Sequence, residues 1–226
     1  MSTQLMPRSG TLLAPHLDYI LLDGSASMQH QWWDWLSAIE NYTDVLRKAN
    51  LNAHGILTVF SSENLQMIQR DARISNWPKM AEAPIGSTFG GTPLYDAVNM
   101  MGRHLRELDP HNCTIIIVTD GEEVDSTHTT AAQAKSILDW CRAKGWQVIF
   151  LGANFENSAQ AKLLGARPEN FIGIRNQRAK EAAETLARKR LANARSGTDI
   201  NFSEDEKENF GGFLEHKAKT SKTSAQ

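Results

Sequence analysis

The sequence has only two cysteines in 226 residues, Cys113 and Cys141, and they form no CxxC pair. Cys113 opens an apolar, strand-like run and Cys141 closes a helical one, so buried free thiols are expected. Nothing in that pattern requires an oxidising compartment. No apolar run approaches the ~18 residues that a membrane helix needs. The chain also opens without a basic region followed by a long apolar stretch, so no signal peptide is expected and a soluble, cytoplasmic protein is the default. A formal net charge of −2 gives no overall pull toward nucleic acid or membrane. Gly86, Gly90 and Gly91 fall close together, yet Gly-x₄-Gly-Lys-Ser/Thr is absent, which argues against nucleotide binding by a phosphate loop.

What is present is an alternation of strand and helix patterns. The length suits one α/β domain with a tail. Residues 17–23 read as a buried strand. Trp32, Trp35, Leu36, Ile39, Tyr42, Val45 and Leu46 recur at helical spacing and predict an amphipathic helix from about Gln29 to Lys48. A strand over His54 to Phe60 follows, with Leu65 to Gln69 as a short partner across a turn, and 71–91 reads mostly as loop. Thr92 is expected to cap a helix with Pro93 at its first position, ending near Leu108 before Asp109-Pro110. Cys113 to Thr119 is too continuously apolar to have a wet face. A helix over Thr130 to Lys144, a strand over Gln147 to Leu151, a short helix over Asn157 to Leu164 and a strand over Phe171 to Ile174 complete the series. The pattern predicts a mostly parallel sheet with helices on both faces.

Residues 176–195 are Ala-rich, and Ala183, Leu186, Ala187, Leu191 and Ala194 form a narrow apolar stripe. A terminal helix docked on the sheet is expected, with its cations, Arg190 among them, in water. Glu181 and Glu184 interrupt the basic run and no aromatics are interleaved, which argues against nucleic acid. The domain plan is therefore an extension over 1–16, the α/β domain over 17–195 and a polar, partly disordered tail over 196–226. Asn201-Phe202-Ser203 and Phe210 to Leu214 keep some apolar character, and either pack back on the domain or form a partner-binding peptide.

Three polar segments lie at strand ends or helix starts. Asp23-Gly24-Ser25-Ala26-Ser27 follows the first strand and puts a carboxylate and two hydroxyls on alternate residues of a tight turn. Gly90-Gly91-Thr92-Pro93-Leu94-Tyr95-Asp96 opens a helix. Thr119-Asp120-Gly121-Glu122 ends the central strand. Hard oxygen donors of this kind suit Mg²⁺, which keeps octahedral geometry and retains several waters. In open α/β sheets ligands bind beyond the carboxyl ends of the strands, where Asp23 and Asp120 are expected.

In these segments the chain resembles the von Willebrand factor A domain family and its metal-ion-dependent adhesion site, whose signature is Asp-x-Ser-x-Ser, a distant Thr and a distant Asp. The resemblance implies a Rossmann-like sheet with one antiparallel edge strand. It assigns metal ligation to Asp23, Ser25, Ser27, Thr92 and Asp120, with Mg²⁺ as the ion and Mn²⁺ or Ca²⁺ as substitutes. It further implies a non-enzymatic module that holds an acidic residue of a partner protein through the metal. The charges support this independently. Asp23 and Asp120 just balance one Mg²⁺, and further protein carboxylates would quench its affinity for an incoming one.

Neighbouring residues are weighed the same way. Gly24, Gly91 and Gly121, inside the three segments, are candidates to support the ligands or to touch what binds there, and Glu122 either reaches the ion or a bound water, or is a solvated loop acid. Asp96, one helical turn beyond Thr92, either orients a site hydroxyl or favours the positive helix N-terminus. Trp33 lies off the buried stripe as a contact anchor, or packs under a neighbouring loop. His30 and His128 read as ordinary loop groups, since Mg²⁺ prefers oxygen.

A metal-dependent hydrolase is the alternative. A phosphatase with an Asp nucleophile at the first strand's end would want a second Asp where this chain has Ser25, and a lysine that no loop clearly supplies. A phage structural or assembly component is the third reading. The run Ala143-Lys144-Gly145-Trp146-Gln147-Val148-Ile149-Phe150-Leu151-Gly152-Ala153-Asn154, with Ser196-Gly197-Thr198 and Ile200 to Glu206, is similar to stand-alone bacterial and bacteriophage members of the family. A phage-encoded protein would act in the host cytoplasm.

Overall fold

Tyr19 and Leu21 of the first strand are buried in one apolar cluster, Ile20 and Leu22 in the other, and this alternation sets the layering of the molecule. The strand is β1 (His16–Asp23). The computed structural model describes residues 16–63, 65–82, 87–120, 123–153, 158–175 and 177–211. The extension expected over 1–16, except His16, lies outside them, as does the last part of the tail. The other strands are β2 (Ala53–Phe60), β3 (Leu65–Arg73), β4 (Cys113–Thr119), β5 (Gln147–Ala153) and β6 (Phe171–Ile174). They form one sheet in the order β3-β2-β1-β4-β5-β6. Neighbours are parallel except the β2–β3 pair, so β3 is an antiparallel edge strand. The chain order reverses between β1 and β4, and the polar segments after both strands meet there.

The helices are α1 (Trp32–Lys48), α2 (Leu94–Leu108), α3 (Ala131–Ala143), α4 (Ser158–Leu163), α5 (Ala179–Ser196) and α6 (Glu204–Phe210). Trp35, Leu36 and Ile39 of α1 pack with Ile116 and Val118 of β4 and Leu186 of α5 on one face. On the other, Leu94, Val98 and Met101 of α2 pack with Ile115 and Ile117 and with Leu138 of α3. Fully burying each such aliphatic side chain contributes roughly 1.5–3 kcal/mol, so the two cores dominate the stability. Among the described residues, no helix is long and apolar enough to cross a membrane. Cys113 and Cys141 are free and buried, and burial pushes the Cys141 thiol up to about 12.

Several boundaries differ from expectation. A 3₁₀ turn over Ala26–Gln31 precedes α1, which begins at Trp32 rather than Gln29. Strand β3 continues to Arg73, and two 3₁₀ turns, Ile74–Asn76 and Met80–Glu82, interrupt the expected loop. Pro93 is itself the N-cap of α2, and the first-turn amides of Tyr95 and Asp96 are taken up by Glu123 at 2.8 Å and Ser126 at 3.1 Å, so Thr92 does not cap the helix.

Two larger differences concern the C-terminal region. Arg190, expected in water, is fully buried: its Nε donates to Asp18 Oδ1 at 2.7 Å. The stretch after α5 is also not simply a polar tail. Ile200, Phe202 and Phe210 are buried in the α1–α5 core, and the Phe202 amide donates to the Glu169 carbonyl at 2.7 Å. Ser203 and Glu206 form a reciprocal capping box that starts α6. The apolar residues left open between docking and partner binding therefore pack on the domain as far as Phe210.

Candidate metal centre

Gly24 begins the site by letting the chain turn tightly off β1. Its amide donates to the Phe60 carbonyl at 2.7 Å, and a Cβ there would come within 2.6 Å of Val59. The next residues wrap back on Asp23. The Ser25 amide donates to Asp23 Oδ1 at 2.8 Å, and Thr119 Oγ1, at the end of β4, donates to Asp23 Oδ2 at 2.6 Å. Ser25 Oγ lies 2.9 Å from Ser27 Oγ, and Ser27 Oγ donates to Asp120 Oδ1 at 2.7 Å. Gln31 Nε2 donates to the other Asp120 oxygen at 3.1 Å. Asp23, Ser25, Ser27 and Asp120 are thus joined across the switch point, Asp23 to Ser25 through the Ser25 amide and the rest oxygen to oxygen.

The second segment is laced to the first by its backbone. The Phe89 amide donates to the Gly24 carbonyl at 3.0 Å, and the Ala26 amide to the Gly90 carbonyl at 2.9 Å. Gly90 takes a left-handed φ of +71°, and a Cβ on Gly91 would fall 1.8 Å from Asp125 Oδ2. The left-handed backbone favours glycine at position 90, and any side chain at position 91 would have to displace the Asp125 carboxylate. Thr92 is buried directly after them, and its carbonyl accepts the Val124 amide at 3.2 Å, which joins the second and third segments.

Burial raises the Asp23 carboxyl to about 6, against the opposing hydrogen bonds from Thr119 and Ser25, with the neighbouring Asp120 charge adding to the rise. Burial likewise raises Asp120, against hydrogen bonds from Ser27 and Gln31. Two desolvated carboxylates beside three hydroxyl-bearing residues form a donor set of hard oxygens that calls for a cation, and this chemistry fits a small divalent ion. Among the described residues, no three His, Cys, Asp or Glu side chains cluster in a way that could hold a metal, and Asp23 and Asp120 are the acids of the hydrogen-bonded chain.

Asp96 serves the third segment. Its carboxylate accepts the Thr127 amide at 2.9 Å and the His128 amide at 3.2 Å. Partial burial pushes this carboxyl up, but the Thr127 amide, the Thr129 hydroxyl and the His128 amide outweigh it and leave it below the ordinary value. Its stabilising contribution is therefore full above the unfolded value of about 3.9 and is lost as pH falls through the lower folded value. Asp96→Ala should speed amide exchange at Thr127 and His128 at neutral pH by at least about tenfold, because hydrogen bonds to a charged acceptor are worth about 1.5–3 kcal/mol. Wild type should show the same loosening only in acid.

Trp33 is exposed, 69% of its surface reaching solvent, so it does not pack under a loop. His30 and His128 are exposed too. Gly121 and Glu122 lie outside the described residues. Sequence reasoning missed Gln31 and Thr119, both bonded to the acid pair. Thr119 immediately precedes Asp120, and Gln31 stands one helical turn after Ser27, so spacing alone could have raised both.

No family model matches the sequence, and no curated protein matches it either. Solved structures do. The pilus adhesin SpaC from Lactobacillus rhamnosus GG, in its open conformation, superposes with a TM-score of 0.63 at 13% identity, over 81% of this chain and 30% of the adhesin. The vWF domain of the type V pili tip protein Mfa5 from Porphyromonas gingivalis gives 0.63 at 12% identity, over 85% of this chain and 100% of that one. The manganese-loaded TRAP protein of Plasmodium vivax gives 0.52 at 15% identity, over 74% and 71%. This chain thus spans less than a third of the adhesin's length. The likeness is one of fold: the chain has the von Willebrand factor A architecture, with its single antiparallel edge strand.

Proposed function

We propose that this protein is a non-enzymatic, Mg²⁺-dependent protein-binding module, in which Asp23, Ser25, Ser27, Thr92 and Asp120 hold the ion and a partner's acidic side chain completes its coordination. The carrying observation is the hydrogen-bonded chain that runs from Asp23, through the Ser25 amide and the Ser25 and Ser27 hydroxyls, to Asp120. A bound divalent ion supplies an electrophilic position open to an incoming carboxylate. Everything else falls to the chain itself. Thr119 and Gln31 orient the two acids, Gly24 and Gly91 let the segments approach, and Asp96 anchors the loop beyond Asp120. Among the described residues the site offers two carboxylates, Asp23 and Asp120, which would leave a loaded site electrically neutral and still attractive to a third. Mn²⁺ or Ca²⁺ would substitute, and metal-loaded TRAP, of the same fold, is consistent with that. A cytoplasmic setting and kinship with stand-alone bacterial and bacteriophage members belong to the same reading, the kinship resting on the sequence resemblance.

The test is thermal unfolding against metal concentration. A ligand that binds only the folded state at about 100 times its Kd adds roughly 2.7 kcal/mol. For a chain of this size each kcal/mol is worth about 2–4 °C. Saturating Mg²⁺ should therefore raise Tm by about 5–10 °C, and EDTA should reverse it. An unchanged Tm, with no heat on calorimetric titration, would reject the metal site.

A further inference from the structure

Five large apolar side chains are exposed among the described residues, and three of them lie near the segments that build the metal centre: Phe89 directly before Gly90, Val124 just beyond the third segment, and Trp33 in the first turn of α1. Trp33 is 69% exposed, Phe89 60% and Val124 71%. Their positions are tied to the centre by main chain. The Phe89 amide bonds the Gly24 carbonyl, the Val124 amide bonds the Thr92 carbonyl, and Trp33 follows Gln31, whose amide group bonds Asp120. Elsewhere the chain buries its aromatics well, as Trp32, Trp35, Trp77 and Trp146 show. Exposure gathered at one pole is the mark of an interaction surface rather than of scattered surface residues.

The charges around this ring are uneven. Glu63 is exposed and lies against Gly90, and Asp125, also exposed, lies against Gly91, so the Phe89–Val124 side carries two acids. Arg175 and Gln177, by contrast, line a cleft with Gln31 and Asp34, the residues that flank Trp32 and Trp33 in the chain. A partner that brings an acidic residue to the centre would therefore meet apolar surface first. Beyond it, on one side, a cation of the partner would face Glu63 and Asp125.

We infer that the partner is a protein segment whose metal-directed acidic residue is flanked by apolar side chains with a lysine or arginine outside them, with Trp33, Phe89 and Val124 as the apolar contacts. This inference rests on the proposed metal-dependent function. It adds which acidic segments are accepted and which are refused. A bare carboxylate would gain only the ion, whereas a segment with apolar flanks would also cover three side chains now facing water. Contacts of that kind centre on well-placed aromatics while polar groups at the rim set register.

The test uses fluorescein-labelled synthetic peptides and anisotropy in Mg²⁺. The first peptide has a central Glu between Leu and Phe with Lys outside. The second replaces Leu and Phe by Ser and Gly, and the third replaces the outer Lys by Glu. The first should bind at least about tenfold more tightly than the second, in the range typical of apolar contacts in a pocket. It should also bind more tightly than the third, with that gap narrowing in high salt. W33S/F89S/V124S should abolish the first peptide's advantage over the second while Mg²⁺ titration stays at the wild-type value. Equal affinity of the first and second peptides, an advantage that survives in the triple variant, or binding of none of them would overturn the inference. Failure of the metal reading looks different: wild type would then give no heat with Mg²⁺ alone.

Discussion

Asp23→Asn should lower Mg²⁺ affinity by at least about 100-fold while the domain stays folded. The replacement keeps the shape of the side chain and removes its charge, which is half of what the protein offers to neutralise the ion. Losing a group that merely orients a metal ligand typically costs about 10–100-fold, so losing a ligand charge belongs at or beyond the top of that range. The metal-free domain should not suffer. Asp23 is fully buried, and burial together with the adjacent Asp120 charge already disfavours its ionised form. Removing that charge relieves a repulsion and breaks no ion pair. The Ser25 amide and the Thr119 hydroxyl, which now donate to Asp23, still find the amide oxygen as an acceptor for one of them. Calorimetric titration and thermal unfolding of the same sample separate the two effects. A variant that binds Mg²⁺ like wild type would sink the ligand assignment, and one that fails to fold would show that Asp23 is structural. The Mg²⁺-induced rise in Tm should vanish with the binding.

How much of this was open to the sequence depends on the range of the interaction. The alternation of buried faces along β1 and β4 and the helix signals are local patterns, and they located the strands and helices, with errors at the starts of α1 and α2. The convergence of Asp23, Ser25, Ser27 and Asp120 was legible because a parallel sheet that reverses its order between β1 and β4 must bring those strand ends together. Two things were not legible. Arg190 lies in a run of cations on an Ala-rich helix, and nothing nearby marks it as different; its partner, Asp18, is 172 positions away. Ile200, Phe202 and Phe210 are sparse in a polar stretch, too few for a periodic signal, yet the core formed by α1 and α5 has room for all three. The start of α6 is a different case, since Ser203 with Glu206 three residues on was a readable capping box that the polar composition around it obscured.

The buried Asp18–Arg190 pair carries the second large expectation: Arg190→Ala should destabilise the protein by about 3–5 kcal/mol, the usual cost of stranding one member of a buried ion pair. At about 2–4 °C per kcal/mol this lowers Tm by roughly 6–20 °C. Asp18 is wholly enclosed between Arg190 Nε at 2.7 Å and the Tyr42 hydroxyl, which donates to it at 3.1 Å. Burial works against the charge on Arg190, but Asp18 outweighs it and holds the guanidinium above its ordinary value. Burial and the Asp18 charge both push Tyr42 well up, so its proton stays on oxygen and keeps donating. Without Arg190 the Asp18 carboxylate would retain one hydroxyl and no counter-charge. The double variant Asp18→Leu/Arg190→Met should recover most of the loss, because a well-packed apolar replacement of a buried pair is often neutral or better. A double-mutant cycle then reads the coupling directly. If the double variant is stable while Arg190→Ala is not, the pair's role lies in where it puts α5. That helix meets α1 through Ala179, Ala182, Ala183 and Ala187, small side chains that leave its register along α1 loosely specified. One guanidinium bonded to one carboxylate at the base of β1 removes that freedom, and α5 in turn holds the surface on which Phe202 and Phe210 pack.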